Sequence, residues 1–307
     1  MALTTRREAM RSVVSKCIPV AATALALPAE AAETTSQPKA PVGMLYDATL
    51  CIGCKACVVA CAEANDLPRD VSLDGLHQAP EDLNAFTKNI IKLYKPQEQS
   101  PDSFVKQQCM HCIDPACVAA CPFKALWKND ENGVVAWEPS RCIGCRYCEI
   151  ACAYHVPKFE WDMINPKIVK CELCRPRLAK GYEPACTSVC PTHAVIFGPR
   201  EGLLSQAKER IEQAPNKYFE NRVYGEHEAG GTQVLYLSHV PFEDIGLPDV
   251  GPAPIPGRLN WQKRIYKFLA LPLLLYAMLA SIMKKNWIDH RKEMREEEER
   301  TGLRPQL

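Results

Sequence analysis

Sixteen of the seventeen cysteines fall into four compact groups, and thiolates grouped in this way bind soft metal centres. In each group the fourth cysteine stands four positions after the third. This spacing is typical of cubane iron–sulfur ligation and predicts four 4Fe–4S clusters. The four quartets are Cys51, Cys54, Cys57 and Cys61; Cys109, Cys112, Cys117 and Cys121; Cys142, Cys145, Cys148 and Cys152; and Cys171, Cys174, Cys186 and Cys190.

The quartets are expected to exchange their last cysteines. In two-cluster ferredoxins the fourth cysteine of each motif ligates the cluster of the other motif. Only 20 residues separate Cys121 from Cys142, so the second and third quartets should form one unit, and the first and fourth a second unit. The predicted ligand sets are site I, Cys51, Cys54, Cys57 and Cys190; site II, Cys61, Cys171, Cys174 and Cys186; site III, Cys109, Cys112, Cys117 and Cys152; and site IV, Cys121, Cys142, Cys145 and Cys148.

Two other uses of the cysteines fit less well. Zinc also takes four thiolates, but its sites usually combine two separated pairs. Disulfides brace small exported scaffolds, whereas a chain of 307 residues can build a core without them. Iron–sulfur clusters are therefore the favoured interpretation.

Repetition within the chain predicts the fold. The segments CIGCKAC (51–57) and CIGCRYC (142–148) are similar, as are ACVAACPFKAL (116–126) and ACTSVCPTHAV (185–195). The halves differ in their insertions, since 47 residues separate Cys61 from Cys109 and 18 separate Cys152 from Cys171. We expect an α+β fold of two pseudo-symmetric bacterial-ferredoxin-like units with loop insertions, plus a C-terminal transmembrane helix.

Residues between the cysteines have expected roles of their own. Gly53 and Gly144 allow the backbone to approach a cluster closely. Lys55 and Arg146 would stabilise a reduced cluster, although ordinary surface charges explain them equally well. His111 lies between two cysteines, but we expect it not to be a ligand because every quartet already supplies four thiolates.

The N-terminal segment indicates export. Paired arginines, Arg6 and Arg7, precede a mildly apolar run and an alanine-rich end, as in a twin-arginine signal peptide over residues 1–32. Ala9 stands where such signals usually carry a large apolar residue. Cys17, the one cysteine outside the quartets, lies inside this segment. An amphipathic anchor or a disordered tail is the alternative.

The C-terminal segment indicates attachment to a membrane. A four-cluster domain over 33–247 is followed by a proline-rich linker, 248–260, and by a predicted transmembrane helix with its flanks, 261–287. The uncharged stretch within it, Phe268 to Met283, has 16 residues and is flanked by tryptophan and lysine. A buried core helix is the alternative. Residues 288–307 form a charged tail. Because the export signal places the clusters outside the cytoplasm, we expect this tail on the cytoplasmic side.

Composition excludes several other functions. A formal net charge of +1 gives no electrostatic case for binding nucleic acid. The chain also carries no Walker loop, dinucleotide fingerprint or nucleophile constellation. Four one-electron carriers without a substrate site indicate a non-catalytic electron-transfer subunit. A structural anchor, whose clusters only hold the fold, is a rival from another class.

Several segments beyond the quartets carry a family resemblance. GMLYDATLCIGCKAC (43–57), KQQCMHCIDPACV (106–118), CRYCEIAC (145–152) and YGEHEAGGTQVL (224–235) with VPFE (240–243) resemble the ferredoxin-type subunits of periplasmic nickel–iron hydrogenases. The β subunits of membrane-bound formate dehydrogenase and of dimethyl sulfoxide reductase belong to the same wider family. The separate export signal and the GGTQVL block favour the hydrogenase branch, and formate dehydrogenase is the alternative.

The resemblance implies partners and a location. A nickel–iron hydrogenase, with its small and large subunits, would supply electrons at the periplasmic face of the inner membrane. An integral membrane quinone-reducing subunit would receive them. The clusters would carry the electrons between these partners, and no residue of this chain would make or break a substrate bond.

Overall fold

The computed structural model describes residues 40–68, 81–95, 102–160 and 167–301. The predicted export signal, 1–32, lies outside the described residues. The described strands are β1 (Val42–Asp47), β2 (Asn89–Tyr94), β3 (Ser103–Gln108), β4 (Leu126–Lys128), β5 (Val135–Trp137), β6 (Lys158–Phe159), β7 (Ile168–Val169), β8 (Val195–Pro199) and β9 (Val234–Leu237). The α-helices are α1 (Ala56–Ala64), α2 (Ala116–Ala120), α3 (Tyr147–Ala151), α4 (Arg175–Leu178), α5 (Ala185–Ser188), α6 (Arg200–Gln213) and α7 (Pro256–Thr301).

A three-stranded sheet forms the centre of the fold. The order is β8-β1-β9, with β1 antiparallel to β8 and parallel to β9. All six residues of β1 and all four of β9 are buried, as expected of strands covered on both faces. Helix α6 covers one side through Leu203, Ala207 and Ile211. Within residues 230–240, two glycines precede an apolar run, and this run forms the buried strand β9.

Three antiparallel strand pairs complete the sheet structure. Strands β2 and β3 pair along their whole length, from Asn89 opposite Gln108 to Tyr94 opposite Ser103. Both strands lie within the 47 residues that separate Cys61 from Cys109. The short pairs β4–β5 and β6–β7 flank the third quartet. The mixture of short helices and strands agrees with the predicted α+β class.

Backbone conformation supports the internal duplication. Gly53 and Gly144 have φ of 69° and 70°. Two positions later, Lys55 and Arg146 have φ of 57° and 63°. The second and fourth quartets correspond in the same way: His111 and Leu173 have φ of 48° and 50°, and Lys124 and His193 have φ of 53° and 51°. Left-handed backbone is uncommon in residues other than glycine. Its recurrence at matching positions shows that related motifs fold alike.

The proline-rich segment is attached to the domain. The Tyr224 hydroxyl donates to the Pro248 carbonyl at 2.6 Å, and the amides of Ala229 and Gly230 donate to the carbonyls of Gly251 and Pro252. Helix α7 begins at Pro256, inside the predicted linker of 248–260, and its backbone contacts α2. The linker therefore ends earlier than predicted, because proline is compatible with the first turn of a helix.

The predicted transmembrane helix requires correction. A helix does cover residues 261–287, since α7 runs from Pro256 to Thr301. Among the described residues, however, no helix combines the length and the apolar character needed to cross a membrane. The uncharged stretch of 16 residues falls just below the roughly 17–25 residues of a usual span. What the structure contains is a long helix with an exposed apolar surface that includes Phe268, Leu274 and Tyr276.

Candidate iron–sulfur sites

The cysteines predicted for site I surround one cavity. Its empty volume is about 340 Å³, and Cys51, Cys54, Cys57 and Cys190 all line it, together with Tyr46 and Lys106. Cys51 and Cys54 come from the turn that leads into α1, Cys57 from the first turn of α1 itself, and Cys190 from the segment after α5. Two quartets distant in sequence thus contribute to one cavity.

A glycine is needed where this turn packs on the sheet. Gly53 has φ of +69°, and a Cβ atom there would lie 2.3 Å from the ring of Phe104 on β3. A side chain at this position would force the turn away from β3 and would disfavour the left-handed backbone. The predicted close approach therefore involves Phe104 as well as the cavity.

The cysteines predicted for site IV line a second cavity. Its empty volume is about 310 Å³, and its lining includes Cys121 with Cys142, Cys145 and Cys148. Phe159 and Leu126 form part of the wall, and the Arg146 guanidinium lies 6.0 Å from the centre of the Phe159 ring. Here too, the fourth cysteine comes from the other motif of its unit.

Sites II and III are more deeply buried. Burial is the main cause that raises the pKa of Cys61, and the neighbouring Cys171 and Cys174 add to the rise. The pKa of Cys186 is likewise raised by burial and, to a smaller extent, by Cys171 and Cys61. All four of these side chains are buried.

Site III repeats the pattern of exchanged cysteines. Burial is the main cause that raises the pKa of Cys117, and the neighbouring Cys109, Cys152 and Cys112 add to the rise. Most neighbours in both buried sites belong to one predicted ligand set, while Cys57 beside Cys186 and Cys171 beside Cys109 join neighbouring sets. The ligand sets stay a prediction.

The donor chemistry of these sites suits iron–sulfur clusters. All sixteen described cysteines are free, so the described residues contain no disulfide. Burial raises the pKa of Cys57 and of Cys109 to about 11, and that of Cys61 to about 12. Thiolates are the ligating form, so iron binding would displace the protons from these thiols. Backbone amides also approach the sulfur atoms, as Ala125 does with Cys121 at 3.2 Å and Leu173 with Cys171 at 3.4 Å.

Among the described residues, no three histidine, cysteine or acidic side chains lie close enough to share one metal ion. In a cubane each thiolate binds a different iron, so its ligands stand farther apart. Cavities lined by four separated thiols fit such a group.

His111 has a defined hydrogen-bonding role. Its Nδ1 accepts from the Val135 amide at 3.0 Å, which places the proton of the neutral ring on Nε2. The side chain is fully buried, and Nε2 has no hydrogen-bond partner among the described residues. Burial lowers the pKa of this histidine well below its ordinary value, so the ring is neutral. A buried donor between Cys109 and Cys112 is suited to a sulfur acceptor. That His111 is not a ligand stays a prediction.

Two buried lysines were missed in the sequence. Lys106 is 0% exposed and Lys170 is 3% exposed. Lys106 lies three positions before Cys109 and Lys170 directly precedes Cys171, so proximity to a quartet was the available signal. Lys55 and Arg146, the charges chosen from the sequence, are half-buried residues of the two matching turns. Their influence on a cluster stays a prediction.

Comparison with known proteins supports the predicted 4Fe–4S clusters. The sequence profile of a 4Fe-4S dicluster domain matches residues 102–200, and a second profile of the same description matches residues 50–125. The prediction of four 4Fe–4S clusters is confirmed by two dicluster matches in a chain with sixteen cysteines in quartets.

Curated relatives extend over most of the chain. The hydrogenase-2 operon protein HybA of Escherichia coli O157:H7 is 38% identical over 289 residues, covering 83% of this chain and 88% of that protein. The formate dehydrogenase-O iron–sulfur subunit of Escherichia coli K12 is 35% identical, covering 78% and 81%. The nitrate-inducible formate dehydrogenase iron–sulfur subunit of the same strain is 36% identical, covering 66% and 69%.

Proposed function

Because this chain belongs to the family of 4Fe–4S electron-transfer subunits that includes HybA and the formate dehydrogenase iron–sulfur subunits, we propose that it connects a periplasmic nickel–iron hydrogenase to a quinone-reducing membrane partner. It is an electron-transfer subunit and not a catalytic one. Each bound 4Fe–4S cluster supplies reversible one-electron reduction. We propose that the ligands are the sixteen cysteines, in the sets of sites I to IV.

The observation that carries this proposal is the order of the four sites. Site I neighbours site II through Cys57 and Cys186, and site II neighbours site III through Cys171 and Cys109. Sites III and IV share α2, whose residue Cys117 and C-terminal cap Cys121 belong to one site each. The chain of sites therefore runs I–II–III–IV.

Exposure is greatest at the two ends of this order. Cys54 of site I and Cys145 of site IV are the exposed cysteines among the described residues, whereas all cysteines of site II are buried. Electron transfer between proteins requires surface access at entry and exit and protection in between. An arrangement with accessible ends and a buried middle suits a relay better than four structural centres.

The surface near site IV suits the membrane partner. Ile143 in the lining of site IV is 59% exposed, as is Ile52 at site I, and Ile150 on α3 is 80% exposed. Helix α7 contacts α2, which carries ligands of sites III and IV, and it extends an exposed apolar surface of its own. Large apolar surfaces of this kind mark interaction sites. We therefore place the exit of electrons at site IV and their entry at site I.

Formate dehydrogenase is the alternative donor. Relatives from that branch match 78% of this chain, so the family alone permits either catalytic partner. Copurification of the chain with its native partners, followed by identification of the catalytic subunit, tests the choice. A formate dehydrogenase in place of a hydrogenase would overturn the proposed donor and leave the relay in place.

The cluster content is the first prediction. Four cubanes correspond to about sixteen irons and about sixteen acid-labile sulfides per chain. Metal analysis of the purified protein, together with potentiometric titration followed by electron paramagnetic resonance, measures the content and the redox activity. Zinc in place of iron, or iron near half this value, would contradict the four sites. Clusters that no physiological potential reduces would favour a structural anchor.

Export by the twin-arginine route is the second prediction. Replacing Arg6 and Arg7 with lysine keeps both charges but removes the planar guanidinium groups. We expect the variant protein to stay in the cytoplasm, apart from any fraction that a partner's own signal carries across. Fractionation of cells measures this, with Arg11→Lys as a control outside the pair. Normal export of the double variant would exclude the signal.

A further inference from the structure

The two buried lysines differ from the other buried charged residues. Asp47 pairs with Arg210 at 3.1 Å, Arg200 with Glu201 at 2.9 Å, and Glu228 with Arg222 at 2.7 Å. Among the described residues, neither Lys106 nor Lys170 forms an ion pair with a carboxylate. A buried charge without a counter-charge is costly, so each ammonium group requires another source of negative charge.

Neutral acceptors hold both ammonium groups in place. Lys106 Nζ donates to Gln108 Oε1, and Lys170 Nζ donates to the carbonyls of Val135 at 2.5 Å and of Cys171 at 3.0 Å. Hydrogen bonds of this kind fix the position of a charge but do not neutralise it. The ammonium groups therefore lie at fixed points inside the domain.

Each lysine lies between two cysteine sites. Lys106 lines the cavity of site I and interacts electrostatically with Cys186, Cys171 and Cys61 of site II. Lys170 Nζ donates to the carbonyl of Val135, whose amide donates to His111 beside Cys109 and Cys112 of site III, and the lysine charge acts to lower the pKa of Cys109 and of Cys117. It also follows β7 directly and precedes Cys171 of site II in the chain.

Site IV differs, because the described residues that line its cavity include Arg141 and Arg146 but neither buried lysine. Cys148 interacts with Cys121, Cys142 and Cys145. Site II alone thus faces both lysines, sites I and III face one each, and site IV faces neither.

We propose that Lys106 and Lys170 are positioning charges that raise the reduction potentials of the clusters on either side of them, so that site II is raised by both lysines. The inference rests on the proposed ligand sets. Reduction adds a negative charge to a cluster, and a cation fixed nearby at low dielectric constant stabilises that charge. The two lysines would thus favour the reduced state of the clusters in the buried middle of the relay, whereas burial alone would disfavour their added negative charge.

The test uses the full-length chain with its clusters bound and measures the midpoint potential of each of the four clusters. Lys106→Met removes the charge and keeps an unbranched side chain of similar length. We expect the potentials of sites I and II to fall, each by about tenfold in the reduction equilibrium constant, which is about 59 mV for one electron. Lys170→Met should instead lower the potentials of sites II and III. The potential of site IV should stay unchanged in both variants. The double variant should lower the potential of site II by the sum of the two shifts.

Controls separate this inference from the proposed function. Lys208→Met removes the same charge from a lysine half exposed on α6 and should move none of the potentials. Lys106→Gln removes the charge but keeps a donor toward Gln108, and should lower the same two potentials as Lys106→Met. Electron paramagnetic resonance of Cys→Ala variants in each ligand set assigns the signals.

The possible failures are distinguishable. Fewer than four clusters in the unmodified chain would overturn the proposed function. Four clusters whose potentials shift equally, or not at all, in the lysine variants would overturn the inference alone. Loss of iron from all the lysine variants would also overturn it, because the lysines would then support the fold and not the potentials.

Discussion

Replacing Cys61 with alanine is expected to remove the cluster of site II and to leave that of site I in place, although Cys61 belongs to the same sequence motif as three ligands of site I. Its thiol interacts with Cys171 and Cys174, which lie more than a hundred residues away in the chain. The exchange of fourth ligands within a two-cluster unit is the physical basis. Iron content should fall by about four atoms per chain.

Double variants make the test independent of signal assignment. Removing two ligands of one cluster should cost no more iron than removing one, whereas removing ligands of two clusters should cost twice as much. Cys61→Ala combined with Cys174→Ala should therefore lose one cluster, and Cys61→Ala combined with Cys54→Ala should lose two.

The opposite pattern would mean that each motif ligates its own cluster. The matched pair in the other unit is Cys121→Ala with Cys145→Ala, which should lose one cluster, and Cys121→Ala with Cys112→Ala, which should lose two. Agreement between the units would extend the exchange of ligands to all four sites. Unfolding of a variant would show as loss of all iron and is distinct from either pattern.

The cysteine sites were predictable because their information is local. Ligand spacing, the glycine at position 53 and the paired turns depend on residues within a few positions of one another, and the structure repeats them with matching φ angles. The grouping of distant quartets followed from one general rule about two-cluster units. The buried strand β9 was likewise readable from a run of apolar residues after a turn.

The lysines and the C-terminal helix show where sequence reasoning fails. Lys106 lies on a strand, SFVKQQ, whose polar and apolar residues do not alternate, and nothing local shows that β3 is covered on the side that Lys106 faces. Its burial depends on elements such as β9, whose residue Tyr236 donates to the Lys106 carbonyl across 130 positions of the chain. For α7, hydropathy located the apolar stretch, but a stretch of 16 residues, close to the minimum length of a span, could not decide between a membrane span and a buried core helix, and its apolar side chains are exposed.

Deleting everything after Asn260 is expected to stop electron delivery to quinone while the catalytic partners still reduce an artificial dye with hydrogen. The exposed apolar residues of α7, among them Leu271, Leu274 and Met278, contribute little to the core, so the shortened chain should fold. The segment from Pro248 to Pro252 remains hydrogen-bonded to the domain in this variant. Iron content should stay at about sixteen atoms per chain.

A shorter deletion provides the matched control. Ending the chain after Asp289 removes the charged end of α7 and keeps its apolar surface, so quinone reduction should continue. If the two deletions behave alike, the apolar surface is not the contact. If quinone reduction survives the longer deletion, the relay does not depend on α7 and the partner must dock elsewhere, with the apolar side chains around site IV as the remaining surface. Hydrogen-dependent dye reduction separates these outcomes from a failure of the catalytic partners, because the dye accepts electrons without a membrane partner.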